Sequence, residues 1–235
     1  MRLPTRLLTA ASLALAAAPL AAHAQAAPAA DPDVNASGGV QAPGWQARMD
    51  RPTANVQQVK FVRMGSGYHV TAGPSGIYYD PKTTASGDYT ASASFTQTKA
   101  AAHPEAYGLF VGGQDLGGAA PNYLYFVVRQ DGKYLVKHRA NATEVHTLVD
   151  WTTHPAVKAA GADGKATNAL QIRVAADSVR FVANGTPVAA LARSATGPLA
   201  GVAGLRVNHN LDVHVADFAV TTGAAAAGPA RSGRR

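Results

Sequence analysis

From Val59 to Val220 short runs of β-branched and aromatic residues alternate with Gly, Pro, Asn and Asp. Twelve such runs stand out, at 59–63, 68–72, 76–80, 88–98, 107–112, 122–130, 133–139, 143–151, 168–176, 178–184, 201–208 and 211–220. Runs this short and evenly spaced, with turn residues between them, are the pattern of a β-sandwich or barrel. Helical periodicity is absent apart from one turn near His154–Lys158. The pattern therefore predicts an all-β fold of about 12 strands. It takes the form of a two-sheet antiparallel jelly-roll sandwich, because two packed sheets bury each other's inner faces.

Two hairpins follow from turn chemistry. Asp131-Gly132 and Asn184-Gly185 each stand between strand-like runs, and both dipeptides suit the type I′ turn, whose central residues need positive φ. A two-residue loop at Asp131-Gly132 pairs Gln130 with Lys133, and side chains then alternate between the faces of the sheet. One face takes Leu124, Phe126, Val128 and Leu135, with Lys137 and Arg139 toward its end, and reads as the core side. The other takes Tyr123, Tyr125, Val127, Arg129, Tyr134, Val136 and His138. Rings beside hydrogen-bonding groups suit a sugar, whose C–H face packs on an aromatic ring while its hydroxyls need directional partners. Tyr123, Tyr125, Arg129, Tyr134 and His138 are the candidate ligand-binding residues. The competing reading is a solvated strand face on which Arg129 lies over Tyr134 as a cation–π pair.

The last run, "GLRVNHNLDVHVADFAV" (204–220), crowds His209, Asp212, His214 and Asp217 together. Its parity argues for a strand. Leu211, Val213 and Val215 share one side and Asp212 and His214 the other, but Phe218 and Val220 fall on the parity of Asp212. A β-bulge at Ala216-Asp217 restores the apolar side. A metal site needs three ligands converging from more than one element, and Asp212 with His214 supplies two at the spacing of any alternating strand. His209 sits in a turn; His69, His103, His138, His146 and His154 are scattered singly.

Composition places these elements in a compartment. Arg2 and Arg6, the apolar stretch 7–20 and "AHA" at 22–24 form a signal peptide cleaved before Gln25, so the chain is expected to be exported to the periplasm or beyond. The apolar stretch is too short for a comfortable bilayer span, and no membrane insertion is expected. There are no cysteines, hence no disulfides, and stability must come from a packed core. The expected boundaries are a signal peptide over 1–24, a flexible linker over 25–44, a β-sandwich over 45–222 and a basic tail over 223–235. The formal charge of +7 owes much to arginines in the leader and tail, and no basic patch with interleaved aromatics asks for nucleic acid.

Catalytic signatures are sparse. Glu105 and Glu144 are the sole glutamates. No strand carries the closely spaced carboxylate pair of a retaining glycosidase. There is no G-x-S-x-G and no H-E-x-x-H. "GGQDLGG" (112–118) opens no helix, so it reads as a rim loop rather than a phosphate cradle. Asp115 on that loop is the one carboxylate a Ca²⁺ would use with backbone carbonyls; no other cofactor is expected.

The strand "YGLFVGG" (107–113), the hairpin "YLYFVVRQDGKYLVKHR" (123–139), the second hairpin "NALQIRVAADSVRFVANGTPV" (168–188) and the closing 204–220 run together resemble the concanavalin A-like, laminin-G-like jelly-roll superfamily. Within it, the similarity is nearest to bacterial exported domains of the 3-keto-disaccharide hydrolase type. The resemblance implies a sandwich whose concave face often meets carbohydrate. Hydrolase-type members typically carry an acidic residue in the central strand, followed by Gln; here "NYLYFVVRQ" has no acid before Asp131. No catalytic residue is carried over, and the reading points away from an enzyme. The expected function is a non-catalytic module binding a glycan or another extracytoplasmic ligand. The alternatives are a glycoside-processing hydrolase or lyase using His138, His146, Asp212 or His214, and a structural or interaction domain of the cell envelope.

Overall fold

A computed structural model describes residues 36–223. The proposed signal peptide, residues 25–35 of the proposed linker and the tail beyond Gly223 lie outside the described residues. Sixteen strands are found among those described: β1 (Gly39–Val40), β2 (Gln46–Met49), β3 (Lys60–Met64), β4 (Gly67–Thr71), β5 (Gly76–Tyr79), β6 (Thr84–Ala85), β7 (Tyr89–Gln97), β8 (Ala106–Gln114), β9 (Asn122–Arg129), β10 (Lys133–Arg139), β11 (Val145–Thr153), β12 (Ala166–Val174), β13 (Ser178–Ala183), β14 (Thr186–Ala192), β15 (Gly201–Val207) and β16 (Asp212–Thr222). Two short 3-10 turns, Val56–Gln58 and Arg193–Ala195, are the helical elements, and the turn expected near His154–Lys158 does not form a helix.

The strands make two sheets. The first runs β1-β3-β4-β16-β7-β12-β13-β14; the second runs β11-β10-β9-β8-β15-β5-β2, with β6 alongside β15. Pairing is antiparallel except between β1 and β3. The expected all-β, two-sheet jelly-roll sandwich is what forms. The linker boundary moves, however: β1 pairs with β3 and Ala42 is buried in the core, so the sandwich begins before Trp45.

Three aromatic pairs join the sheets. Phe61 stacks on Tyr78 at 5.0 Å, Phe95 on Tyr107 at 5.5 Å, and Phe181 meets Phe126 at 5.4 Å. Each pair takes one ring from each sheet, and offset contacts of this kind add to the apolar area they bury. Asn168 donates to the Tyr107 hydroxyl at 3.1 Å, which satisfies that oxygen inside the core.

The bulge in β16 forms where the parity demanded it. The register against β7 shifts between Ala216 and Ala219, and Asp217 takes φ 55°. Phe218 is thereby turned inward and meets Trp45 at 5.6 Å. The Asn184-Gly185 turn is also as expected, with Ala183 opposite Thr186 and both central residues at positive φ.

The Asp131-Gly132 hairpin is not. Lys133 pairs with Arg129, Val136 with Phe126 and Arg139 with Tyr123, so the loop holds three residues, Gln130 to Gly132. Only Gly132 takes positive φ, and its N–H closes the turn on Arg129 O at 3.1 Å. Tertiary contacts hold Gln130 out of the ladder. Its carbonyl accepts from Ala160 N at 2.8 Å, and its side chain accepts from Gln97 Nε2 at 2.8 Å. A one-residue slip moves every side chain of one strand to the opposite face. The β9 half of the expected face assignment therefore stands and the β10 half is reversed.

Candidate functional site

The corrected register puts Leu124, Phe126, Val128, Tyr134 and Val136 in the main core between the sheets. Tyr123, Tyr125, Val127 and Leu135 belong to a second apolar cluster with Ile77, Tyr79, Phe110 and Leu116. That cluster coats the outer face of the second sheet. Outer sheet faces are usually solvated; here the face is roofed by arginines.

The five residues singled out in the sequence thus divide. Tyr123, Tyr125 and Arg129 share the outer face. Tyr134 and His138 point the other way, a correction that follows from the longer turn. Tyr134 is a core residue whose hydroxyl donates to Val188 O at 2.8 Å. His138 is buried against Gly197, with Nε2 3.2 Å from Asn122 Oδ1. Its burial and the neighbouring His146 hold its imidazole below the usual histidine range. Arg129 does not lie over Tyr134: it stacks on Trp151 at 4.3 Å and grips Asp131 with two 2.7 Å hydrogen bonds. The tyrosines are not open platforms either, since Tyr123 is 1% and Tyr125 8% exposed.

What covers them is an ionic cluster built on Asp50, just past β2. Arg206 lies on the outer side of β15 because its neighbours Leu205 and Val207 point into the core. Its guanidinium meets Asp50 in two 2.5 Å hydrogen bonds and sits 5.3 Å above the Tyr125 ring. Arg139 enters from β10, donating from Nε to the Tyr123 hydroxyl at 3.0 Å, with Nη2 3.6 Å from Asp50. Arg48 donates to Leu116 O at 3.0 Å and Gly118 O at 2.7 Å, which ties the "GGQDLGG" loop to the same face. Burial alone would raise the Asp50 carboxyl; the charges of Arg206, Arg139 and Arg48 outweigh it and hold it below the usual carboxylate range. Burial likewise pushes the Tyr123 and Tyr125 hydroxyls upward, so both stay neutral donors at physiological pH.

Beside this cluster opens a cleft of about 450 Å³, lined by Arg48, Asp50, Arg51, Asn55, Tyr123 and Arg139, among others. That is within the size range of small-molecule sites. Its polar lining comes from three parts of the chain, β2 with the segment after it, β9 and β10. Of these residues, only Tyr123 was anticipated as a ligand contact. A two-residue turn puts Arg139 on the core side, whereas the three-residue turn brings it beside Tyr123. The parity of "GLRV" marks Arg206 as outward-facing. Nothing in the spacing marks Asp50, whose partner lies 156 positions away.

The other polar candidates sit elsewhere. Asp212 and His214 are on the outer face of the first sheet. Asp212 accepts from the Thr98 hydroxyl and pairs with His69 Nε2 at 3.0 Å and Lys99 Nζ at 3.5 Å. Burial opposes the ionised form, but these partners outweigh it and hold the carboxyl low. His138 and His146 meet edge to face at 5.8 Å on the second sheet, and His146 pairs with Glu144. The four residues named for hydrolysis therefore fall into two groups on different sheets. Asp115 Oδ2 accepts from Ala120 N at 2.7 Å and closes its own loop. No helix among the described residues is long and apolar enough to cross a membrane.

No family model matches this chain, and no curated protein matches its sequence. Solved structures do match. It is similar to the carbohydrate-binding module CBM66 from Bacillus subtilis, at 10% identity and a TM-score of 0.56, with 80% of this chain and 100% of that one covered. The fold they share is a two-sheet jelly-roll sandwich. A second structure, a protein of unknown function with a galectin-like fold from Bacillus subtilis, has 14% identity and a TM-score of 0.53, covering 80% and 97% of the two chains. At such identities the likeness shows the jelly roll itself.

Proposed function

We propose that this jelly roll is an exported, non-catalytic module that binds carbohydrate in the Asp50–Arg139–Tyr123 cleft. The observation that carries the reading is the convergence of fixed donors and a fixed acceptor on one open cleft. Guanidinium groups donate, a carboxylate accepts, and all are held in place by one another before any ligand arrives. A saccharide presents adjacent hydroxyls that both donate and accept, so pre-aligned partners of opposite sense bind it with little ordering cost. The likeness to a carbohydrate-binding module supports this ligand class. The cleft's one carboxylate among the residues named is already committed to two arginines, which favours binding over acid–base chemistry.

A glycan array followed by calorimetry on the full chain tests the proposal. Arg139→Ala is expected to weaken any saccharide hit by about 10-fold or more, the loss of a charge-assisted hydrogen bond. Arg180→Ala, at an exposed position on the first sheet, is expected to leave it unchanged. No binding to any saccharide, or equal binding by both variants, overturns it.

A further inference from the structure

Away from the cleft, three metal-type donors converge where β8 begins and β15 ends. The register that pairs Arg206 with Gly108 and Val207 with Tyr107 continues past the strands. Asn208 N donates to Ala106 O at 2.9 Å. The next opposed pair is His209 and Glu105, and directly opposed residues bring their side chains within reach of each other. Pro104 follows His103, which disfavours helical backbone at 103. His103 lies in the bend that precedes β8, and its ring reaches the same carboxylate as His209. His209 Nε2 lies 2.7 Å and His103 Nδ1 3.1 Å from the same carboxylate oxygen, Glu105 Oε1. The two imidazole rings are 5.2 Å apart. Among the described residues this is the one group of three such donors within mutual reach.

We propose that His103, Glu105 and His209 form a binding site for one divalent transition-metal ion of the zinc class. Two imidazoles and a carboxylate are a donor set that suits Zn²⁺ better than Ca²⁺ or Mg²⁺, which take oxygen ligands. Tetrahedral ligands on Zn²⁺ lie about 3.4 Å apart, given metal–ligand bonds of about 2.1 Å. The His103–Glu105 separation needs to open by about 0.3 Å and the His209–Glu105 separation by about 0.7 Å, which small rotations of both histidine side chains supply. The site is anchored and accessible at once: the Glu105 side chain is 12% exposed and that of His103 39%. Asn210 N, donating to Gly73 O at 3.0 Å, holds the turn that carries His209. Three protein donors leave a fourth position for water or for a ligand atom. The site stands independently of the saccharide cleft.

Chelator-treated full chain titrated with ZnCl₂ by calorimetry, and with CoCl₂ by visible absorption, tests this. The expected result is one ion per chain and the intense d–d bands of tetrahedral cobalt. His103→Ala and His209→Ala are each expected to weaken affinity about 100-fold or more, since even outer partners of metal ligands are worth 10–100-fold. Affinity is expected to fall on acidification, because metal ligands must be deprotonated to bind. His146→Ala, removing a histidine of the second sheet, is expected to change nothing. Circular dichroism checks folding; should His209→Ala fail to fold, His103→Ala, at the more exposed position, still reads the site. No ion bound, or the same affinity in His103→Ala, overturns the proposal and leaves a hydrogen-bonded clasp between two turns.

Discussion

Asp50 is the residue on which the outer face of the second sheet depends. Arg206 is buried there, and a buried guanidinium without a counter-charge is costly. Asp50→Asn keeps the shape and removes the charge. It is expected to lower unfolding stability by about 3 kcal/mol, measured by urea denaturation, because breaking a buried pair strands its partner. Arg139→Ala should cost far less, since Asp50 keeps Arg206. A sequence cannot disclose this dependence: an ion pair between positions 50 and 206 leaves no periodicity, whereas an arginine between two core residues, as in "LRV", does show its direction.

At the scale of elements, the two irregularities of the sheet differ in what sets them. The bulge in β16 was legible because it is written in one strand: the apolar parity breaks at Ala216-Asp217 and has to be restored locally. Asp217 is exposed and left-handed, so Asp217→Gly is expected to be tolerated or mildly stabilising. Asp217→Val is expected to cost about 1–2 kcal/mol, because a β-branched residue fits that backbone badly. Thermal denaturation of the two variants checks this, and equal effects would rule out backbone strain as the cause. The β9–β10 turn departs from its local chemistry because its length is set from outside. Asp131-Gly132 satisfies a two-residue loop by local chemistry, but Ala160 N and Gln97 Nε2 capture Gln130 and lengthen the loop by one. That single residue sends Tyr134 and His138 to the core side and brings Arg139 over Tyr123.

For the molecule as a whole, the carboxylates and the histidine that are shifted act in one direction. Asp50, Asp131 and Asp212 ionise below the usual carboxylate range in the fold. Their contribution is present above the unfolded value of about 3.9 and is lost as pH falls through their native values. His138 is also depressed, and the unfolded chain takes its proton near pH 6.5 while the native ring still refuses it. Stability is therefore expected to fall in two stages on acidification, first below about pH 6.5 and then below about pH 4. Urea midpoints between pH 8 and pH 3 should show both stages. His138→Gln should abolish the first and spare the second; a midpoint that stays flat from pH 7.5 to 5 would contradict the role given to His138.

What the sequence by itself determined is whatever local chemistry encodes. The alternation of apolar and polar residues specified strands, the turn residues specified where they reverse, and the need to bury two inner faces specified a sandwich. Tertiary structure decided the rest. It set the length of one turn, and through it the membership of each face. It also assembled the two polar centres, Asp50 with Arg139 and Arg206, and Glu105 with His103 and His209, from segments that approach only in the folded chain. The physical reason is the same in both cases: a side chain's direction is a property of its strand, but its partner is a property of the register between strands, and register is settled by contacts made across the whole fold.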